Sequence, residues 1–137
     1  MAGPGRLVTS KYGPSLAPSV TLWNDRPEAW HEILPGVRRR ILAHGDGVML
    51  VLFEIAPNTT LPHHTHPHVQ AGTFLEGGGV FRVGKKTYRM RKGSAYSIPG
   101  GVPHELVTDP GGPSRVLDVF VPERQDLLGE TVPADAE

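Results

Sequence analysis

The stretch His63-His64-Thr65-His66-Pro67-His68-Val69-Gln70 decides how the rest of the chain is read. On a β-strand alternate side chains point the same way, so His64 and His66 are expected to share one face. Imidazole suits zinc, copper, iron and nickel, and a metal site needs three or more converging ligands. Gln70 offers a carbonyl oxygen a few residues on. A second stretch, Gly93-Ser94-Ala95-Tyr96-Ser97-Ile98-Pro99-Gly100-Gly101-Val102-Pro103-His104, brings His104 as a further imidazole.

Taken together, the two stretches resemble the paired motifs of the cupin superfamily. His-x-His, three residues, an acid or amide, six residues and Gly reads here as His64, His66, Gln70 and Gly77. Gly, five residues, Pro-x-Gly, two residues and His reads as Gly93, Pro99, Gly101 and His104. Three departures stand out. Gln70 replaces the usual glutamate, Thr108 stands where an Asn often follows the second histidine, and Asn58 replaces a frequent glycine. Asn also adopts the left-handed turn conformation. The likeness runs from Gly36 to Arg124. It implies an all-β fold: a double-stranded β-helix, or jelly-roll barrel, with short helical turns at its ends. It also implies one divalent metal ion inside, held by His64, His66, Gln70 and His104. Zinc, nickel, manganese and iron all suit such ligands.

Composition sets the outer bounds. A chain of 137 residues is one domain on length alone. The layout read from the sequence is an N-terminal arm at 1–19, flexible or swapped onto a second subunit as in cupin dimers, a cupin domain at 20–128, and a frayed tail at 129–137. A homodimer is the expected assembly. Formal net charge is zero, so nothing predicts nucleic-acid or membrane binding. The lack of cysteine removes disulfides, thiolate ligands and cysteine nucleophiles. No apolar run approaches a membrane span of about 20 residues, and the N-terminus has no apolar signal core. The expectation is a cytoplasmic protein. Abundant Gly and Pro between short apolar runs predicts strands joined by tight turns.

Along the chain, Val20 to Trp23 reads as a strand and Arg26 to Trp30 as one helical turn. Strands follow at His31–Leu34 and Val37–His44, broken by Pro35-Gly36. In the second of these Arg38 and Arg40 share a face and Arg39 takes the other. The plain reading is a solvated edge; the sharper one turns Arg40 into the cavity to hold an anionic substrate. Gly45-Asp46-Gly47 reads as a hairpin turn. Val48–Ala56 is apolar on both faces except Glu54 and should be a central strand. Gly84-Lys85-Lys86 marks another hairpin, with solvated cations around it. His31, His44 and His63 read as surface or packing residues. His68 shares the parity of His66, but Pro67 disturbs the strand there. Tyr96 and Phe53 belong to the core or line the cavity. Gln125 to Leu128 reads as a single helical turn.

The last strand, Arg115 to Val121, carries Asp118 among apolar residues, on one face with Val116 and Phe120. A buried carboxylate is costly unless it is paired or working. The run from Leu117 to Arg124 resembles the C-terminal signature of the small cupins of the pectin-degradation group, which linearise unsaturated uronic acids. His-Pro-His-x-Gln in the first motif fits that group as well; Val69, where relatives often carry Glu, does not. The resemblance implies that Asp118, Phe120 and Arg124 line the site. Asp118 would transfer a proton, Arg124 would grip a substrate carboxylate, and Phe120 would pack on the ring.

Three functions remain open at this level. The first is an isomerase or lyase-type enzyme that opens an unsaturated uronate by metal-assisted proton transfer. The second is a dioxygenase or polyketide-type cyclase on the same scaffold. The third is a sensor or binding module that holds a small ligand over the metal without turnover. A neutral Gln70 leaves more of the ion's charge uncompensated than glutamate would, and it removes one potential base.

Overall fold

The computed structural model describes residues 7–10, 13–16, 20–23 and 29–131. The elements in chain order are β1 (Leu7–Ser10), β2 (Gly13–Leu16), β3 (His31–Leu34), β4 (Val37–Gly45), β5 (Val48–Ile55), β6 (Thr60–His64), β7 (Val69–Glu76), β8 (Gly79–Val83), β9 (Lys86–Met90), β10 (Ala95–Ile98), β11 (His104–Thr108), β12 (Ser114–Val121) and α1 (Gln125–Thr131). Two antiparallel sheets face each other. One has the order β10-β7-β12-β5-β4-β3 and the other β6-β11-β8-β9. This is the jelly roll that the two motifs imply.

Alternation explains which side chains meet between the sheets. On β12, Ser114, Val116, Asp118 and Phe120 are buried while the residues between them are not. On β5, Met49, Val51, Phe53 and Ile55 face the same interior. Phe74 and Phe81 approach from opposite sheets, ring centroids 6.2 Å apart at 84°. Burying a side chain of this size contributes about 1.5–3 kcal/mol. β12 lies between β5 and β7, so its inward residues sit at the centre of the larger sheet.

The turns follow their local chemistry. Asp46 and Gly47 both have positive φ, 53° and 85°, as a two-residue hairpin between β4 and β5 requires. Asn58 takes φ 50°, the left-handed turn conformation that glycine supplies most readily. Thr108 is buried, and its hydroxyl donates to the Ala56 carbonyl at 2.7 Å. It thereby fixes the turn that leads into β6.

Several expectations need correction. Within the stretch expected to be an arm, β1 and β2 pair as a two-stranded antiparallel ribbon. Of the helical turn expected at 26–30, residues 26–28 lie outside the described residues. α1 reaches Thr131, so 129–131 belong to a helix and not to a frayed tail; 132–137 lie outside the described residues. Strand β6 ends at His64, which leaves His66 in the connection to β7.

Candidate metal centre and active site

The imidazoles come from three places. His64 ends β6 and pairs in register with His104 at the start of β11, their ring centroids 4.3 Å apart. His66 lies just beyond the strand. The second motif holds it there: Gly101 N–H donates to the His66 carbonyl at 2.8 Å. Gly101 does so at φ 79°, and a Cβ on Gly100 would lie 2.1 Å from the Pro67 carbonyl oxygen. The Pro-Gly-Gly sequence is therefore what lets one motif pack on the other. Gln70 enters from β7, so the cluster joins both sheets.

Each imidazole is oriented by its own chain. Nδ1 of His64, His66 and His104 lies 2.8, 3.0 and 2.9 Å from the carbonyl oxygens of Pro62, His68 and Val102. A carbonyl only accepts, so each Nδ1 carries the proton. Burial holds His66 below the usual imidazole range, aided by the Arg124 charge. Burial likewise pushes His104 down to about 4. Both are neutral at pH 7, with Nε2 bare. The ligand atoms of His64, His66 and His104 lie within 4.8 Å of one another.

Two observations show that these residues fit a metal ion. Nε2 of His104 is buried with no hydrogen-bond partner among the described residues, a costly state for a polar atom. Nε2 of His66 faces Oε1 of Gln70 at 3.0 Å. The amide nitrogen of Gln70 is committed to Asp118, so its oxygen points at the cluster. Two acceptors that close repel each other until a cation lies beside both. Three bare nitrogens and one amide oxygen form a donor set for a divalent transition ion.

A cavity of about 260 Å3 opens beside the cluster. Phe53, Phe81, Leu106 and Val116 are part of a mostly apolar wall. His64, Gln70, His104, Tyr96, Asp118, Arg124 and Asp126 are its polar groups. Asp118 is 3% exposed, and burial pushes its carboxyl up to about 7, against hydrogen bonds from Tyr96 and Gln70 and the Arg124 charge. A carboxyl poised there suits proton transfer at neutral pH. A cation bound nearby would favour its ionised form. Phe120 packs edge-on to His66, ring centroids 5.7 Å apart. The Arg124 guanidinium lies 5.0 Å from the Phe120 ring centre, and its Nε donates to Asp126 at 3.1 Å.

All four expected ligands therefore meet, and Asp118, Phe120 and Arg124 line the cavity beside them. Arg40 does not. Its guanidinium lies 5.9 Å from the Trp30 ring centre, away from the cavity lining. The inward arginine of β4 is Arg39, fully buried and donating to the Leu127 carbonyl at 3.0 Å. Its parity with Val37 and Ile41 was the available signal. His68 stands outside the ligand group. His44 pairs with Glu123 at 2.5 Å and packs on Trp23. Asp126 and Gly72 carry no signal in the sequence, and Tyr96, expected in the core or at the cavity, lines the cavity.

A jelly roll with imidazoles from two spaced motifs converging inside it defines a cupin. The sequence profile of the Cupin domain family matches residues 51–120, and the chain belongs to that family. It is 29% identical over 110 residues to the pectin degradation protein KdgF of Dickeya dadantii strain 3937, covering 76% of this chain and 94% of that one. The solved structure of KdgF from Halomonas sp. superposes with a TM-score of 0.72 at 26% identity, over 80% of this chain and 99% of that one. The polyketide cyclase RemF from Streptomyces resistomycificus is 33% identical with a TM-score of 0.59, over 65% and 67% of the two chains. Among the described residues no helix is long and apolar enough to cross a membrane.

Proposed function

We propose that this protein opens the ring of an unsaturated uronic acid to give an open-chain keto acid, with a divalent metal held by His64, His66, Gln70 and His104. The observation that carries this reading is Asp118, a buried carboxyl in the same cavity as the imidazole cluster and Arg124. The likeness to KdgF supports the substrate class. The metal would supply Lewis acidity toward a substrate oxygen.

The chain's own residues do the rest. Arg124 presents a planar fork that matches a carboxylate. Its side chain is only 15% exposed, against 56% for its partner Asp126, so the cation lies inside the mouth and the acid outside. Phe120 gives the sugar ring an apolar floor. The mostly apolar wall excludes water from the reacting end. Asp118 takes the proton of the anomeric hydroxyl as the bond from C1 to the ring oxygen breaks. It returns that proton to C4, so the ring enol becomes a ketone and the balance closes without a redox partner.

The apolar wall also favours a second reading, in which the substrate is a carbonyl compound with an apolar body, as the likeness to a polyketide cyclase suggests. One assay separates the two. Metal-loaded protein is mixed with a 4,5-unsaturated monouronate and the loss of its conjugated absorbance is followed. Loss that is fast in the wild type and absent in Asp118→Asn, at equal metal content, supports the uronate reading. No loss above the spontaneous rate removes it.

A further inference from the structure

We infer that Tyr96 is the positioning residue for Asp118, and that its seat exists because residue 72 has no side chain. Tyr96, Gly72 and Asp118 lie in register on the adjacent strands β10, β7 and β12. Side chains on one face of a sheet at such positions stand two strands, about 9.6 Å, apart at the backbone, with the middle residue's side chain between them. Here nothing intervenes. The Tyr96 hydroxyl crosses the gap and donates to Asp118 Oδ1 at 2.5 Å. A Cβ at position 72 would lie 2.0 Å from that same oxygen and 2.6 Å from the tyrosine hydroxyl.

Backbone conformation does not ask for glycine there. Gly72 is absent from the residues of positive φ, so space is what it provides. On the β5 side the register neighbour of Asp118 is the buried, apolar Val51, so its donors are the Tyr96 hydroxyl and the Gln70 amide. The tyrosine ring is itself fixed, packed edge-on against Phe81 at 4.9 Å and Phe74 at 6.2 Å. A rigid hydroxyl on Oδ1, beside the Gln70 amide, gives the carboxylate one orientation toward the cavity, where the Gln70 contact alone would leave it free to turn.

The inference rests on the proposed role of Asp118, and its test separates the two. Tyr96→Phe keeps the ring and removes only the hydroxyl. The expected result is a fall in kcat of about 10- to 100-fold with KM within about twofold, at wild-type metal content. The crystal structure of that variant should show the Asp118 carboxylate turned away from its wild-type orientation. In an Asp118→Asn background, Tyr96→Phe should cause no further loss of rate. An Asp118 carboxylate that keeps its orientation in Tyr96→Phe overturns the inference, whatever the rate; so does an unchanged kcat. Wild-type protein that leaves the uronate untouched defeats the proposed function alone, and the crystal structure still decides the positioning.

Discussion

Replacing His104 with leucine should leave the metal-free protein nearly as stable as wild type yet abolish its stabilisation by metal. Without metal, Nε2 of His104 is buried with no partner. Such an atom costs about 1–3 kcal/mol, and leucine removes it. Leucine also forfeits the Nδ1 bond to the Val102 carbonyl, 2.9 Å long, worth about 1 kcal/mol. These two changes nearly cancel. With metal the comparison is one-sided. An ion bound only by the folded chain, at a hundred times its Kd, adds about 2.7 kcal/mol. For a domain of this size that is a rise in Tm of roughly 10 °C. The assay is thermal unfolding of both proteins, first with chelator and then with zinc, nickel, manganese or iron(II). A wild type indifferent to all four ions would refute the reasoning. So would a leucine variant that gains as much from metal as wild type does.

The remaining predictions are shorter. Arg124→Lys keeps the charge but loses the planar fork, so KM for a carboxylate substrate should rise about tenfold or more while metal content holds; steady-state kinetics reads both. An unchanged KM would move the anion contact elsewhere. In the metal-free protein, Asp118 holds its proton up to about pH 7, whereas unfolding restores its ordinary value of 3.8. The folded state therefore binds the proton more tightly. The stability this gives is full below about pH 4 and is lost as pH rises to about 7, by up to ~4 kcal/mol over the window. Urea unfolding from pH 5 to 9 with chelator should show Asp118→Asn gaining on wild type as pH rises to about 7, with the difference constant above pH 8. A constant gap across the range would contradict a carboxyl that burial keeps protonated up to about pH 7.

The fold was legible because its punctuation is chemical. Pro35-Gly36, Asp46-Gly47 and Gly84 end strands by backbone conformation, and such residues show in a sequence. The ligand set was legible because motif spacing survives folding. Alternation put Asp118 on one face with Val116 and Phe120, which is the face that β12 buries, and the resemblance put that face in the site. On β4 alternation held, but the choice of Arg40 as the inward residue was wrong. There a charged run offered three candidates, and only the parity of Val37 and Ile41 marked Arg39 as the buried one. Alternation failed at His66, where the chain leaves the strand before the second imidazole and the second motif holds it in place instead. Gly72 was illegible because its role depends on β10 and β12 lying on either side of β7. No local pattern carries sheet order. Asp126 reads from composition only as a surface acid, and the first turn of α1 sets it against Arg124 two residues before.

The most direct test is a crystal of metal-reconstituted protein measured at the absorption edge of the added ion. The account predicts one anomalous peak per chain, bounded by Nε2 of His64, His66 and His104 and by Oε1 of Gln70, at about 2.1 Å from the nitrogens. No peak there, or a peak that leaves His104 out, would contradict it.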